Sequence, residues 1–167
     1  MLERLLDQPG RAEPLGQELL ELVERRLLEE AVAFPGAEDL VRQLKGRVPV
    51  AVASNTPERL VRGALACAGL AEYFEVVVTA DQVPEPKPSP DAYLRACELL
   101  GAVPSGSIGL EDSPTGVASA EAAGCAVIAV PHAVPIQSAP TRTLRSTLVG
   151  LGVAELDSVM RAHRALG

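Results

Sequence analysis

The sequence has 167 residues, 47% of them hydrophobic and 22% charged, a composition typical of one globular domain with a substantial core. Its net charge of −7 and its aromatic content of 2% argue against nucleic acid as a partner, because that binding needs clustered Lys and Arg or stacking aromatic rings. No apolar run approaches the roughly 20 residues of a membrane-spanning helix, and no secretory signal pattern opens the chain, so we expect no membrane partner.

The three cysteines, Cys67, Cys97 and Cys125, are odd in number and form no C-x-x-C pair, which fits a reducing compartment. Cys67 and Cys97 fall within apolar helical patterns, where a buried thiol is expected. We therefore expect a cytoplasmic protein.

The first 33 residues predict two helices in a hairpin. Leucines recur at helical spacing on both sides of Pro9-Gly10, and Glu and Arg occupy the opposite face. This segment contains no candidate for catalysis.

From residue 34 onward, short apolar runs alternate with helical patterns. The runs at 48–53, 74–79, 107–110 and 126–130, and a further one near 147–149, predict strands, and the segments 37–45, 57–68, 90–100, 114–123 and 153–165 predict helices. Strands this rich in Val, Ala and Ile are typical of a parallel sheet that is covered on both faces. The sequence therefore predicts a doubly wound α/β fold, in which ligands bind beyond the carboxyl ends of the strands.

Three of these helices are predicted to begin with a polar, proline-containing segment: Ser54-Asn55-Thr56-Pro57, Lys87-Pro88-Ser89-Pro90 and Glu111-Asp112-Ser113-Pro114. A Ser or Thr cap followed by Pro leaves main-chain N–H groups free at the helix start, where anions bind. Each segment also has a purely structural explanation. The first suits a turn, the second a solvated loop charge, and the third a pair of favourable acids in a first helical turn.

Taken together, the three segments predict one site for a phosphoryl group and a metal ion. The Ser54 hydroxyl and the Lys87 ammonium suit a phosphoryl group, and the prolines around Lys87 stiffen its loop. The adjacent carboxylates of Glu111 and Asp112 suit Mg²⁺, which takes oxygen ligands and often binds substrate phosphate as well. We expect Ser54 and Lys87 on exposed loop edges, with the metal between the two acids and the anion.

These segments resemble motifs of the haloacid dehalogenase (HAD) superfamily, specifically its phosphatase and β-phosphoglucomutase-like branch with a helical cap, over roughly residues 34–131. A-S-N-T-P is similar to the second motif, which implies that Ser54 and Asn55 bind phosphate through a hydroxyl and an amide. K-P-S-P-D-A-Y is similar to the third motif, which implies that Lys87 is a catalytic residue that bridges phosphate and nucleophile. G-L-E-D-S-P-T-G is similar to the fourth, which implies that Glu111 and Asp112 bind Mg²⁺.

The first motif of that superfamily, D-x-D-G-T, is absent from the sequence. No two of its aspartates, at positions 7, 39, 81, 91, 112 and 157, are spaced D-x-D. In the family this motif supplies the nucleophile and the general acid/base, and it helps to bind Mg²⁺. The resemblance thus implies a HAD-like Rossmannoid core at 34–167 without its central first strand, and the remaining part of a helical cap at 1–33. We expect the chain to be truncated at its N-terminus and inactive alone.

The resemblance implies that the parent protein is a Mg²⁺-dependent phosphohydrolase acting on a small phosphorylated metabolite. Two alternatives stay open. One is a β-phosphoglucomutase-like sugar-phosphate isomerase built on the same core, and the other is a non-catalytic protein that binds phosphate or metal. For the chain by itself, the missing first motif favours the non-catalytic alternative, or else an inert fragment or an interaction module.

Overall fold

The computed structural model describes residues 12–29 and 31–165. The helices are α1 (Ala12–Glu29), α2 (Ala37–Leu44), α3 (Glu58–Cys67), α4 (Asp91–Leu100), α5 (Pro114–Ala122) and α6 (Val153–Arg164), and the strands are β1 (Ala51–Ser54), β2 (Val76–Thr79), β3 (Ile108–Glu111), β4 (Ala126–Ala129) and β5 (Arg142–Leu144). The first half of the predicted helical hairpin lies outside the described residues. None of the described helices is long and apolar enough to cross a membrane.

The strands form two parallel sheets, which confirms the predicted doubly wound α/β fold. β1 pairs with β2 in the register Ala51 to Val76, and β3 pairs with β4, which in turn pairs with β5. Within residues 12–29 and 31–165, no strand pairs with the second edge of β1 or of β3. Accordingly β4 is buried throughout, whereas β1 is only half-buried and Leu110 of β3 is 39% exposed.

Helices cover both faces of the sheets, as the near-continuous apolar strands require. Val127 and Ala129 of β4 pack with residues of α4 and α5 on one face. Ile128 and the following Val130 pack with residues of α2 and α6 on the other face. A third cluster around Val78 joins α4 to β1 and β2. Burying one such aliphatic side chain contributes about 1.5–3 kcal/mol, so these layers hold the strand ends in place.

The prediction of a last strand near residues 147–149 is wrong. The last strand is β5, at Arg142–Leu144, inside the Pro-, Ser- and Thr-containing segment between the predicted strands at 126–130 and 147–149. β5 pairs with the buried β4, and Arg142 forms an ion pair with Glu121 of α5. Long-range pairing therefore overrides the local composition of this segment.

The prediction of a buried thiol is right for Cys97 and wrong for Cys67. Cys67 is the last residue of α3, and it borders an open groove between α3 and the segment at 31–36. A helix end has fewer neighbours than a helix centre, so the apolar pattern does not bury this residue.

Candidate active site

One cavity of about 550 Å³ lies at the carboxyl ends of β1 and β3. All five predicted site residues border this cavity, together with apolar, hydroxyl and glycine residues: Phe34, Ala53, Ser54, Asn55, Lys87, Leu110, Glu111, Asp112, Ser113, Thr115, Gly116, Val130 and Leu148. Parallel strands place their carboxyl ends at a common edge, and this brings together residues that lie far apart in the sequence.

Ser54, the last residue of β1, presents its side chain at the cavity next to a tight turn. Its Oγ accepts a hydrogen bond from the main-chain N–H of Thr56 at 3.1 Å. We expected Thr56 to cap a helix beginning at Pro57, but α3 begins at Glu58 and Pro57 occupies the cap position without a side-chain hydrogen bond. The Ser54 hydroxyl, and not the Thr56 side chain, therefore accepts the side-chain hydrogen bond of this turn.

Asn55 connects the end of β1 to the loop that carries Lys87. Its Nδ2 donates to the main-chain oxygen of Lys87 at 3.0 Å, and its Oδ1 accepts from the main-chain N–H of Lys87 at 2.9 Å. Both polar ends of the Asn55 side chain are therefore engaged with Lys87. The group that Asn55 can offer to an anion is its main-chain N–H.

Lys87 and Glu111 form a buried ion pair at the edge of the cavity. Their side chains are 9% and 8% exposed, so the expectation that Lys87 lies on an exposed loop edge is wrong. Ser54 is likewise half-buried. The loop of Lys87, in which the Lys87–Pro88 peptide is cis, is hydrogen-bonded to Asn55 at the end of β1, and the ion pair with Glu111 joins it to the end of β3.

Tyr93 is a further residue of this site that was not predicted from the sequence, although it is the last residue of the K-P-S-P-D-A-Y segment. Its hydroxyl donates to Glu111 Oε1 at 2.5 Å, and Lys87 Nζ lies 5.0 Å from the centre of its ring. Burial, the Glu111 charge and this hydrogen bond raise the pKa of Tyr93 far above its ordinary value, so the phenol stays protonated. Tyr93 thus contacts both members of the ion pair.

The second acid, Asp112, is exposed at the cavity just before α5. The predicted cap is present here, because Ser113 Oγ accepts from the main-chain N–H of Gly116 at 3.2 Å and Pro114 is the first helical residue. By contrast, the cap predicted at Ser89 does not form, since α4 begins at Asp91. Of the three capped helix starts predicted from the sequence, the one at α5 is thus the one that the structure confirms.

Gly116 leaves room for the Glu111 carboxylate. A Cβ atom at position 116 would overlap the carboxyl group of Glu111. The close approach lets Glu111 lie against the first turn of α5 while it pairs with Lys87. A glycine is needed at this position for space and not for a special backbone angle.

The rim of the cavity includes Phe34, which stacks edge-on against the ring of His132 with centroids 5.0 Å apart and planes at 88°. Two residues later, Gly36 has φ of +89°, and a Cβ there would overlap the main chain at Leu148 and Val149. The segment from Phe34 to Gly36, which leads into α2, is therefore closely packed beside the cavity.

The carboxylates at the cavity have the donor chemistry that Mg²⁺ requires. Asp112 is accessible from the cavity, and Glu111 lies beside it with one oxygen bonded to Lys87 and Tyr93. Within the described residues there is no cluster of three or more His, Cys, Asp and Glu side chains suited to a metal. The oxygen donors fit Mg²⁺ in kind, and they leave coordination positions for a phosphate and further oxygen ligands.

Comparisons with known proteins agree with this geometry. The family described as "Hydrolase: haloacid dehalogenase-like hydrolase" matches residues 2–124. Hexitol phosphatase A of Escherichia coli (strain K12) is 39% identical over 84% of this chain and 62% of that protein. The phosphoglycolate phosphatase of Chromobacterium violaceum is 34% identical over 81% of this chain and 60% of that protein. The chain thus spans about 60% of the length of these two curated relatives.

The fold is also that of a solved relative. The crystal structure of CbbY from Rhodobacter sphaeroides in complex with phosphate is 28% identical, with a TM-score of 0.77 over 93% of this chain and 75% of that chain. The family match extends over well over half of the sequence, and the strand ends carry the residues that the resemblance implied. This chain belongs to the haloacid dehalogenase-like hydrolases.

Proposed function

We propose that this chain carries the phosphate-binding and metal-binding residues of a Mg²⁺-dependent cytoplasmic phosphohydrolase that acts on a small phosphorylated metabolite. The observation that carries the proposal is the convergence of Ser54, Asn55, Lys87, Glu111 and Asp112 on one cavity. The relatives named as phosphatases of small metabolites support the same substrate class. Because a net charge of −7 disfavours anions in general, binding of a phosphoryl group depends on a localised positive group such as Lys87.

In the proposed mechanism, the residues of this chain bind and orient the phosphoryl group. The Ser54 hydroxyl and the Asn55 main-chain N–H donate to phosphoryl oxygens, and the Lys87 ammonium neutralises the charge that develops on them. Glu111 and Asp112 hold Mg²⁺, which supplies further charge stabilisation when it is bound. The half-enclosed cavity limits water around these groups and so strengthens their interaction with the anion.

The nucleophile of the proposed reaction comes from outside the described residues. Within residues 12–29 and 31–165, the carboxylates that border the cavity are those of Glu111 and Asp112, and both are assigned to the metal. The unpaired edges of β1 and β3 leave a place for one more parallel strand, whose carboxyl end would meet the phosphoryl group. We propose that this strand carries the nucleophilic aspartate, that residues 34–167 form the rest of the core, and that residues 1–33 belong to a helical cap. The 167-residue chain alone is then inactive.

The test uses the product of the complete gene and a generic phosphate ester such as p-nitrophenyl phosphate. We expect turnover that requires Mg²⁺ and that falls about 10²-fold or more in Asp112→Asn, because the variant loses a metal ligand. Asp157→Asn is the matched control, since Asp157 is an exposed acid on α6 away from the cavity. Its turnover should equal that of the wild type.

Three results would contradict the proposal. Full turnover in excess chelator excludes the metal role of Glu111 and Asp112. Phosphate binding without turnover in the complete protein identifies a non-catalytic phosphate-binding relative. Interconversion of sugar phosphates without release of phosphate identifies the isomerase.

A further inference from the structure

We propose that Asn55 is a positioning residue, whose side chain holds the Lys87 main chain so that the Lys87 ammonium meets Glu111 at the cavity. The two residues are 32 positions apart in the chain, yet they form two hydrogen bonds of 3.0 and 2.9 Å. The chemical role of Lys87 rests on the proposed function, whereas the positioning itself rests on geometry alone.

The contact resembles the paired hydrogen bonds between two amide groups. The Asn55 amide uses one donor and one acceptor on the N–H and C=O of the same residue, Lys87. Two bonds to one residue restrict both the translation and the rotation of its main chain, which a single bond does not. Within the described part of the chain, Asn55 is the side chain that hydrogen-bonds the main chain of Lys87.

The same loop is held on both sides of Lys87 by other groups. Ser119 Oγ donates to the main-chain oxygen of Ser89 at 2.6 Å, and the Glu85 N–H donates to Asp91 at 3.2 Å. These bonds fix the loop against α4 and α5. The Asn55 bonds fix it against the end of β1, where Ser54 lies.

This link matters because a lysine side chain has many rotamers. The position of its ammonium is defined only when its main chain is fixed and its tip has a partner. Asn55 supplies the first condition, and Glu111 and Tyr93 supply the second through the ion pair and the ring contact. The hydroxyl of Ser54 and the ammonium of Lys87 then keep a fixed relative position, as the pre-organised binding of a phosphoryl group requires.

The test measures the chemical acetylation of lysine by mass spectrometry. The sequence contains two lysines, and Lys45 is an internal reference because its side chain is 54% exposed against 9% for Lys87. In the wild-type chain Lys87 should be acetylated more slowly than Lys45. In Asn55→Ala the rate at Lys87 relative to Lys45 should rise about tenfold, as expected for the loss of one or two hydrogen bonds that keep the loop closed.

The matched control is Gln82→Ala, which removes another side-chain amide that uses both its ends. Gln82 accepts from the Thr79 N–H at 3.2 Å and donates to Glu58 at 2.7 Å, at the end of the neighbouring strand β2. Its acetylation ratio should equal that of the wild type. Asn55→Asp keeps an oxygen for the Lys87 N–H but loses the donor, so its ratio should lie between those of the wild type and Asn55→Ala.

A second measurement separates positioning from direct contact with phosphate. The affinity for inorganic phosphate is compared in Asn55→Ala, Lys87→Ala and the double variant. If Asn55 acts through Lys87, its removal should change the affinity less than twofold once Lys87 is absent. Effects that multiply in the double variant, or an unchanged acetylation ratio in both Asn55 variants, would overturn the proposal. Acetylation needs no turnover, so a raised ratio in a protein without phosphatase activity contradicts the proposed function alone.

Discussion

Among the ion pairs that connect distant parts of this chain, two have both side chains largely buried, Lys87 with Glu111 and Arg142 with Glu121. The pair at the cavity is the more buried one, with side-chain exposures of 9% and 8% against 19% and 20%. Their surroundings differ more than their burial. The difference shows how the same charge chemistry serves binding in one place and structure in the other.

The Arg142 pair has the features of a structural link. Arg142 Nε and Nη2 donate to the two oxygens of Glu121 at 2.8 and 2.5 Å, and Thr141 adds a third hydrogen bond at 2.5 Å. Such a forked contact gives geometric specificity. It joins the edge strand β5 to the last turn of α5. Both carboxylate oxygens of Glu121 already accept hydrogen bonds from Arg142 or Thr141.

The Lys87 pair leaves the cation accessible to a new partner. Lysine is a point charge with three donors, and Lys87 borders the cavity, whereas Arg142 and Glu121 do not. A phosphoryl group entering the cavity can share Lys87 with Glu111, while Tyr93 continues to bond the carboxylate. We infer that a position at the cavity, and not the degree of burial, distinguishes the binding pair from the structural pair.

Breaking the cavity pair should have the largest effect. Lys87→Met leaves the buried Glu111 carboxylate without its cation, which should lower the free energy of unfolding by about 3–5 kcal/mol in urea titrations. The double variant Lys87→Met/Glu111→Gln should recover much of this loss, because no uncompensated charge stays buried. A double variant as unstable as Lys87→Met would mean that the loss comes from packing and not from charge.

The structural pair should cost less when broken. Arg142→Met removes charge-assisted hydrogen bonds from a carboxylate that water can still reach, so we expect about 2 kcal/mol of destabilisation. Calorimetric titration should give the wild-type affinity for inorganic phosphate. A weakened affinity in this variant would contradict the distinction between the two pairs.

The pH dependence of stability sharpens the comparison, with an effect smaller than that of either truncation. Burial acts to raise the pKa of Glu121, but hydrogen bonds from Arg142 and Thr141 and the charge of Arg142 together hold it below its ordinary value. On acidification the unfolded state therefore takes up the proton first. The stability that the ionised group contributes is fully present above the unfolded pKa of about 4.3 and is lost as the pH falls through the lower folded pKa.

The corresponding measurement compares the wild type with Glu121→Gln. The difference in their free energies of unfolding should shrink between about pH 6 and about pH 3. A difference that stays constant over this range would mean that Glu121 contributes through shape alone.

Local signals in the sequence were sufficient to predict the fold and the edge of the sheet where the cavity lies. Ser54 and Glu111 directly follow the short apolar runs at 48–53 and 107–110, and each is followed by a proline-containing turn, so their approach follows from parallel pairing. The helix start at Ser113-Pro114 was predicted for the same reason, since a capping hydroxyl acts within three residues.

Contacts between residues far apart in the chain were not predictable. Asn55 is engaged with Lys87 across 32 residues, and Tyr93 with Glu111 across 18. β5 was missed because the partner that stabilises Arg142 lies 21 residues earlier, in α5. The burial of Lys87 likewise depends on how its loop folds back, which no local pattern encodes. The sequence thus predicted five residues that border the cavity, but not the hydrogen bonds and ion pairs that they form.

The smallest effect on stability, and the most selective one on the cavity, is expected for Gly116→Ala. Gly to Ala within a helix ordinarily stabilises by up to about 1 kcal/mol, yet here the new methyl would overlap the Glu111 carboxylate. Glu111 must then move away from Lys87 and Tyr93, so the helical gain should be cancelled to within about 1 kcal/mol. Affinity for inorganic phosphate in Mg²⁺ should fall about tenfold, because a displaced Glu111 no longer orients the lysine or the metal.

Ala118→Gly, on the exposed side of the same helix, is the control: it should cost about 1 kcal/mol and leave phosphate affinity unchanged. Gly116→Ala with wild-type affinity would show that Glu111 can shift freely, and that the contact with α5 is no part of the binding site.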